Sequence, residues 1–452
     1  MYDGQEEHDI LVWDKNDEDF EAAQQQMRLK AFCRKVEGFV QQKFGRPATL
    51  ISPLIIGGFN TLYRVRVEDM SPDVMVRLPC PSLVQFPAEK TIPLFFGKDP
   101  ELGPFIIMEH WENSGSISGR LTMSNKDPSV PYVLNPDTPE PILEGIWTKV
   151  AHCLLELSQL TFPRIGSLLQ AVKDTYEVAG RPVTLNMTEM IRLANIPRCI
   201  LPSQDKTYMT ADEWYTVLAE MHIAQLVFQH NDLVTSEDDC RNKYVSQTLS
   251  PCPSNSGPFR LWGDDFRAGN ILLDASDQIA ALIDWEYTYA GPTQFILDPP
   301  WWLLLETAEM WSPDLEDWRQ TYESRLGIWL SAMEKAEASI DTPAYNTFPV
   351  PLSRYMRESW QTGRFFLSYA ARKSWAFDAM YWNFLDERFF GDRDPGVVKG
   401  DLWKTRIDLL SDDERAAMEP FVQRKMAEGK ERRVVEWDET EAQKRFSELL
   451  FN

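Results

Sequence analysis

The chain has 452 residues, 43% of them hydrophobic and 25% charged, with 16 Trp and 24 Phe. That length exceeds one ordinary core, and that apolar content excludes disorder over most of the chain, so two or more packed units are expected. The formal net charge of -23, with no basic stripe anywhere along the sequence, speaks against a nucleic-acid partner and is compatible with a cationic one.

Six cysteines, Cys33, Cys80, Cys153, Cys199, Cys240 and Cys252, are scattered without a Cys-x-x-Cys pair. This pattern fits reduced thiols in a cytoplasmic protein. The longest apolar runs, such as 301–305, are far too short to span a bilayer, so no membrane partner is expected.

In chain order, residues 1–16 read as an acidic tail. Residues 17–44 read as one amphipathic helix, with Phe20, Met27, Phe32, Val36, Phe39 and Val40 at helical spacing and Gly45-Arg46-Pro47 ending it. The period then changes to two. Strands are expected over 50–56, 62–67, 74–78 and 105–109, punctuated by Gly57-Gly58 and by Ser71-Pro72. Residues 45–111 thus predict a small antiparallel sheet.

The remainder, 112–452, reads as mainly helical. Helices are expected over 142–160 and over 211–229, the second opened by Thr210 with Glu213 three residues on. Residues 231–258 are polar and read as a loop or insertion. Short strands flank Asp274, over 270–273 and 279–283. Residues 353–385 read as one very aromatic helix, whose rings are mostly core material. A capping box stands at 411–414. The fold class predicted is α+β, a small antiparallel sheet followed by a large helical part with a C-terminal helical extension.

The chemistry concentrates in 261–286. Gly263-Asp264-Asp265 is followed by Gly269-Asn270-Ile271-Leu272, and then by Ile283-Asp284-Trp285-Glu286. Asp265 and Asn270 stand five residues apart, and a further acid, Asp284, follows an apolar strand. Each alone would be a turn or cap residue. Together they suit phosphoryl transfer, which needs an acceptor hydroxyl held and relieved of its proton, and hard oxygen ligands for a metal that offsets phosphate charge.

This segment resembles the catalytic loop and metal-binding strand of the aminoglycoside phosphotransferase family. That family has a protein-kinase-like fold of two lobes. The continuation from Tyr287 to Pro292 and on to Pro299-Pro300-Trp301-Trp302 is similar to its fungal branch. The resemblance covers roughly 45–400 and is most specific at 261–302. It implies an ATP- and magnesium-dependent (Mg2+) kinase of a small hydroxylated molecule, with a cationic acceptor among the possibilities. Asp265 would be the catalytic base, and Asn270 and Asp284 the magnesium ligands. The family's usual His-Gly-Asp is here Gly263-Asp264-Asp265, and only Asp265 keeps the spacing to Asn270.

The same resemblance implies a nucleotide site in 45–111. Gly57, Gly58 and Asn60 would lie on a phosphate-facing hairpin, although Gly57-Gly58 read alone is only a turn. Arg77 stands where the family carries a phosphate-pairing lysine, and read alone it is an exposed strand charge. The hinge backbone at Glu109, His110 and Trp111 would face the adenine edge. A helix bearing a glutamate partner for the cation should follow residue 78. The sequence between 81 and 104 has room for only about two helical turns, with Glu89 the only acid in a suitable place. This shortage leaves a second expectation open, a non-catalytic kinase-like binding or scaffold protein. A protein kinase is disfavoured, because 284–302 carries neither Asp-Phe-Gly nor Ala-Pro-Glu.

Overall fold

A computed structural model describes residues 8–57, 60–86, 96–123, 132–172, 175–249, 258–340 and 348–450. Gly58 and Glu89 lie outside the described residues, as does Cys252. The other five cysteines are free thiols. Among the described residues no helix is long and apolar enough to cross a membrane.

The first helices correct the expectation of a tail followed by a single helix. Helix α1 (Ile10–Arg28) already begins inside the supposed tail. Asp9 starts it, because its carboxylate accepts the Val12 amide that the first turn leaves unpaired. Extended backbone at Leu29 breaks the run, and α2 (Lys30–Phe44) follows, stopped by Gly45 in the left-handed region at φ +66.

Five strands then form one antiparallel sheet: β1 (Ala48–Ile56), β2 (Asn60–Val67), β3 (Val74–Pro79), β4 (Phe96–Asp99) and β5 (Gly103–Glu109), in the order β1-β2-β3-β5-β4. Alternation sets its two faces. Tyr63, Val65, Val67, Val76, Leu78, Phe105 and Ile107 pack with Met27, Val36, Phe39 and Val40 into one apolar cluster. Each fully buried side chain of this size contributes roughly 1.5–3 kcal/mol. The helical cover of this face therefore comes from before the sheet. Arg77, between Val76 and Leu78, projects from the opposite face.

The rest of the chain is mainly helical and packs around a second, larger apolar cluster. Two small sheets are set into it. One runs Thr161–Phe162, Phe259–Gly263, Thr288–Gly291, Gly166–Val172 and Thr175–Val178. The other pairs Ile279–Leu282, Ile271–Leu273 and Gly115–Ser116. Thr210 caps the helix Ala211–Phe228 as expected, accepting from the Glu213 amide. Both halves of the capping box at Ser411 and Glu414 are formed.

Two expectations fail here. The stretch read as a loop contains a helix, Glu237–Thr248, opened by Ser236 over three acids in its first turn. Its polar composition hid it: Lys243 and Asn242 are buried through partners rather than through apolar packing. The long aromatic helix is in fact several pieces, Leu352–Thr362 and Arg364–Arg372 separated by Gly363 at φ +81, then short turns and a π-helical segment Tyr381–Leu385. The left-handed backbone at Gly363 is one glycine adopts without strain, so the break favours glycine.

Helix α1 bridges the sheet and the helical body. At its start the buried Asp9 carboxylate accepts from the side-chain amide of Asn231, and the Asp9 amide donates to the Leu193 carbonyl. Near its end the Met27 carbonyl accepts from Tyr63 Oη at 2.7 Å.

Two histidines tie stability to pH. Burial lowers His222 from 6.5 to about 3 and His8 from 6.5 to about 4. His222 is 1% exposed and lies 3.1 Å from Ser374 Oγ. The folded chain binds fewer protons than the unfolded one below pH 6.5, so these contributions are complete above that value and are lost as pH falls through 4 and toward 3. Each site steepens the loss by up to about 1.4 kcal/mol per pH unit. Urea unfolding between pH 7 and 4 should show His222→Gln with a shallower pH dependence than wild type.

Candidate active site between the sheet and the helical body

The strand Phe259–Gly263 pairs with Thr288–Gly291, and the Asp264 amide donates to the Tyr287 carbonyl at 3.0 Å. This pairing brings the 264–270 loop beside the 284–287 turn. The two adjacent acids of the loop then part company. Asp264 points inward, 8% exposed, and accepts from the Leu185 amide at 2.9 Å and from Trp262 Nε1 at 3.1 Å. It is a structural cap.

Asp265 faces the other way. Its carboxylate accepts from Arg267 Nε at 2.9 Å and from Asn270 Nδ2 at 3.0 Å. Burial raises its pKa. Arg267 pulls it back, Asp284 pushes it up again, and the two hydrogen bonds oppose. The influence of Asp284 reflects how near the two acids lie.

Asn270 and Asp284 meet because Ile271–Leu273 and Ile279–Leu282 pair antiparallel, with the Ile283 amide bonding the Asn270 carbonyl at 2.9 Å. Asp284 adopts left-handed backbone at φ +64, a conformation asparagine and aspartate tolerate best among residues with a side chain.

Arg77 enters from the sheet. It is buried rather than exposed, at 9%, which overturns the surface-charge reading. Its Nη2 lies 2.5 Å from Asp284 Oδ1 and 2.8 Å from Glu286 Oε1.

The other nucleotide-site expectations are placed less pointedly. The Gly57 amide donates to the Asn60 carbonyl at 2.8 Å, closing the β1–β2 hairpin, and Asn60 is buried. Glu109 pairs with Val74 in the sheet. The His110 amide is taken by the Asp73 carbonyl at 2.8 Å, and the Trp111 carbonyl accepts from Asn113. The Trp111 side chain is 60% exposed. No helix lies among the described residues between β3 and β4.

Magnesium prefers hard oxygens and takes one or two protein carboxylates beside substrate phosphates. Asp284 Oδ1 is buried yet accepts no hydrogen bond. Asn270 directs its amide N–H to Asp265, which leaves its carbonyl oxygen as the remaining donor atom. These donors suit the ion. Among the described residues no group of three or more His, Cys, Asp or Glu forms a closed metal cage, so the remaining ligands would come from water and phosphate.

Several acids near this site were not singled out in the sequence. Burial raises the Glu189 carboxyl, Lys373 and Arg192 oppose it, and Glu309 and Asp265 add to the rise. Glu306 is pushed up to about 7 by burial. Glu309 accepts from Tyr369 Oη at 2.5 Å. Glu189 lies in a helix far in sequence from Glu306 and Glu309, and no local spacing joins it to them.

No family model matches the chain, and no curated protein matches it either. Among solved structures it is similar to a macrolide 2'-phosphotransferase type I, at 12% identity and TM-score 0.34, covering 87% of this chain and 97% of that one. It is similar to the aminoglycoside phosphotransferase APH(4)-Ia at 16% identity and TM-score 0.37, covering 77% and 99%. A Plasmodium vivax ethanolamine kinase is similar at 11% identity and TM-score 0.33, covering 85% and 82%.

Proposed function

We propose that this chain is a protein-kinase-like phosphotransferase of the aminoglycoside phosphotransferase type, close to its fungal branch, acting from ATP on a hydroxyl of a small molecule in the cytoplasm. The observation that carries this reading is the convergence of Asp265, Asn270 and Asp284, from two strand ends, with Arg77 reaching them from the sheet. The catalytic unit is 261–286, and the nucleotide would lie against 45–111.

In this reading Asp265 accepts the proton of the acceptor hydroxyl. Asn270 orients the Asp265 carboxylate through its amide, and Arg267 helps keep that carboxylate ionised despite burial. Magnesium held by Asn270 and Asp284 would supply charge compensation at the phosphates. Arg77 offers a guanidinium fork to phosphate oxygens. The formal net charge of -23 is compatible with a cationic acceptor.

A second reading, a non-catalytic kinase-like binding or scaffold protein, draws on one observation. Arg77 is already paired with Asp284 and Glu286, so nucleotide must compete with protein carboxylates for it.

Thermal unfolding with and without magnesium-ATP separates the two. At about 100 times its dissociation constant a ligand adds roughly 2.7 kcal/mol. Wild type should show that upward shift, and Asp284→Asn should lose it. A folded wild type unmoved by saturating magnesium-ATP would leave the non-catalytic reading.

A further inference from the structure

A phosphate-facing cation on β3 needs a carboxylate to hold its side chain in place, and residues 80–86, directly after β3, include no acid. The guanidinium of Arg77 crosses instead to the turn Trp285–Tyr287. Two carboxylates stand there, and they are not equivalent. Glu286 accepts a directed hydrogen bond from Nη2 at 2.8 Å, and its side chain is 12% exposed. Asp284 Oδ1 lies 2.5 Å from the same nitrogen but off its N–H direction, accepting no hydrogen bond. The turn that carries both acids is itself pinned. Trp285 Nε1 donates to the Leu282 carbonyl at 3.0 Å, and the Tyr287 carbonyl accepts from the Asp264 amide.

We propose that Glu286 is the positioning acid of Arg77, holding the β3 cation from the catalytic turn in place of an acid on a helix beside the sheet. Its consequence for nucleotide binding rests on the phosphotransfer reading above. Glu286 takes the directed hydrogen bond and shares the guanidinium with Asp284, so Asp284 does not carry that cation alone. Without Glu286, Asp284 is the remaining carboxylate within reach of Nη2. The guanidinium, already 2.5 Å from Asp284 Oδ1, then pairs with Asp284 alone and competes with magnesium for it. One residue thereby couples the sheet cation to the metal requirement of the site.

The test uses the full chain with Arg77→Met, Glu286→Gln, Asp284→Asn and the two double variants that contain Arg77→Met. Thermal midpoints of these variants give the pairwise couplings. The expected result is that Arg77→Met with Glu286→Gln unfolds no lower than the worse single variant, and that the 77–286 coupling exceeds the 77–284 coupling. Separately, binding of a fluorescent ATP analogue is titrated with magnesium. Glu286→Gln should raise the magnesium needed for half-maximal binding by about tenfold, the loss of one charge-assisted contact, and Glu286→Asp should restore most of it.

Additive midpoint losses at 77 and 286, or an unchanged magnesium requirement in Glu286→Gln, overturn the assignment. A wild type that binds no analogue at any magnesium concentration refutes the proposed function, while the midpoint couplings still decide whether Glu286 holds Arg77. Should Glu286→Gln fail to fold, Glu286→Ala with Arg77→Ala supplies the same cycle.

Discussion

Asp265→Asn is expected to lower turnover by about 100- to 10,000-fold, the range that one general base supplies, while leaving stabilisation by magnesium-ATP within error of wild type. The geometry argues for a split of this kind. Asp265 is held by Arg267 and Asn270, whereas the cation contacts run through Asp284 and Glu286. An asparagine keeps the shape and can still meet Arg267 with its carbonyl oxygen, but it takes no proton from a hydroxyl. The pH profile carries a second signature. Burial and Asp284 hold the Asp265 carboxyl above the ordinary aspartate range. The base must be ionised, so activity should fall on the acid side at a higher pH than an ordinary carboxylate would give. Arg267→Gln removes an opposing influence and should move that limb to still higher pH. An acid limb that ignores Arg267, or an Asp265→Asn variant with wild-type turnover in an acceptor-dependent phosphate-transfer assay, would remove Asp265 from the base role.

The largest loss of stability is expected from Asp386→Ala. This carboxylate is 0% exposed and takes two bonds from Arg406, at 2.8 and 2.9 Å, and one from Arg393 at 2.8 Å. Removing it strands two poorly exposed guanidinium groups without their shared acid. Breaking a buried pair from one side costs about 3–5 kcal/mol. The surface pair of Arg357 with Glu334, both about half exposed, is the contrast, since Arg357→Ala should cost less than about 1 kcal/mol. Urea midpoints of the two variants measure the difference. Equal midpoints would show that the Asp386 cluster is solvated in a way its burial does not suggest.

The sheet and the site differ in how openly the sequence announces them. Four strands of the first sheet alternate apolar residues over several positions, as at Val74, Val76 and Leu78, and so are legible, as is the spacing of Asp265, Asn270 and Asp284, whereas the short strand Phe96–Asp99 is not. The sheet that positions the catalytic loop was not, because strands such as Thr161–Phe162 and Thr288–Gly291 are too short to display a period. The buried helix Glu237–Thr248 was missed for the opposite reason. Beside Cys240, Tyr244 and Val245 its buried face carries Asn242 and Lys243, satisfied by partners from 378 and 399 that no local window can foresee. The break at Gly363, in the left-handed region at φ +81, is not marked by the helical spacing of the aromatic residues around it. The role of Glu286 was hidden in the same way: its motif was visible, but its partner lies 209 residues earlier.

The bridging helix α1 has a consequence for vectorial synthesis. It is made before every surface it rests on, since its anchors are Tyr63, Leu193 and Asn231. Asn231 in turn donates to the Arg433 carbonyl. A helix of 19 residues in a protein draws most of its stability from the face it packs rather than from propensity. The sheet-side contacts of this segment, at Tyr63 and around Met27, can therefore form early, whereas its start waits for Leu193 and Asn231. The clasp between sheet and body can close only after Asn231 has been made.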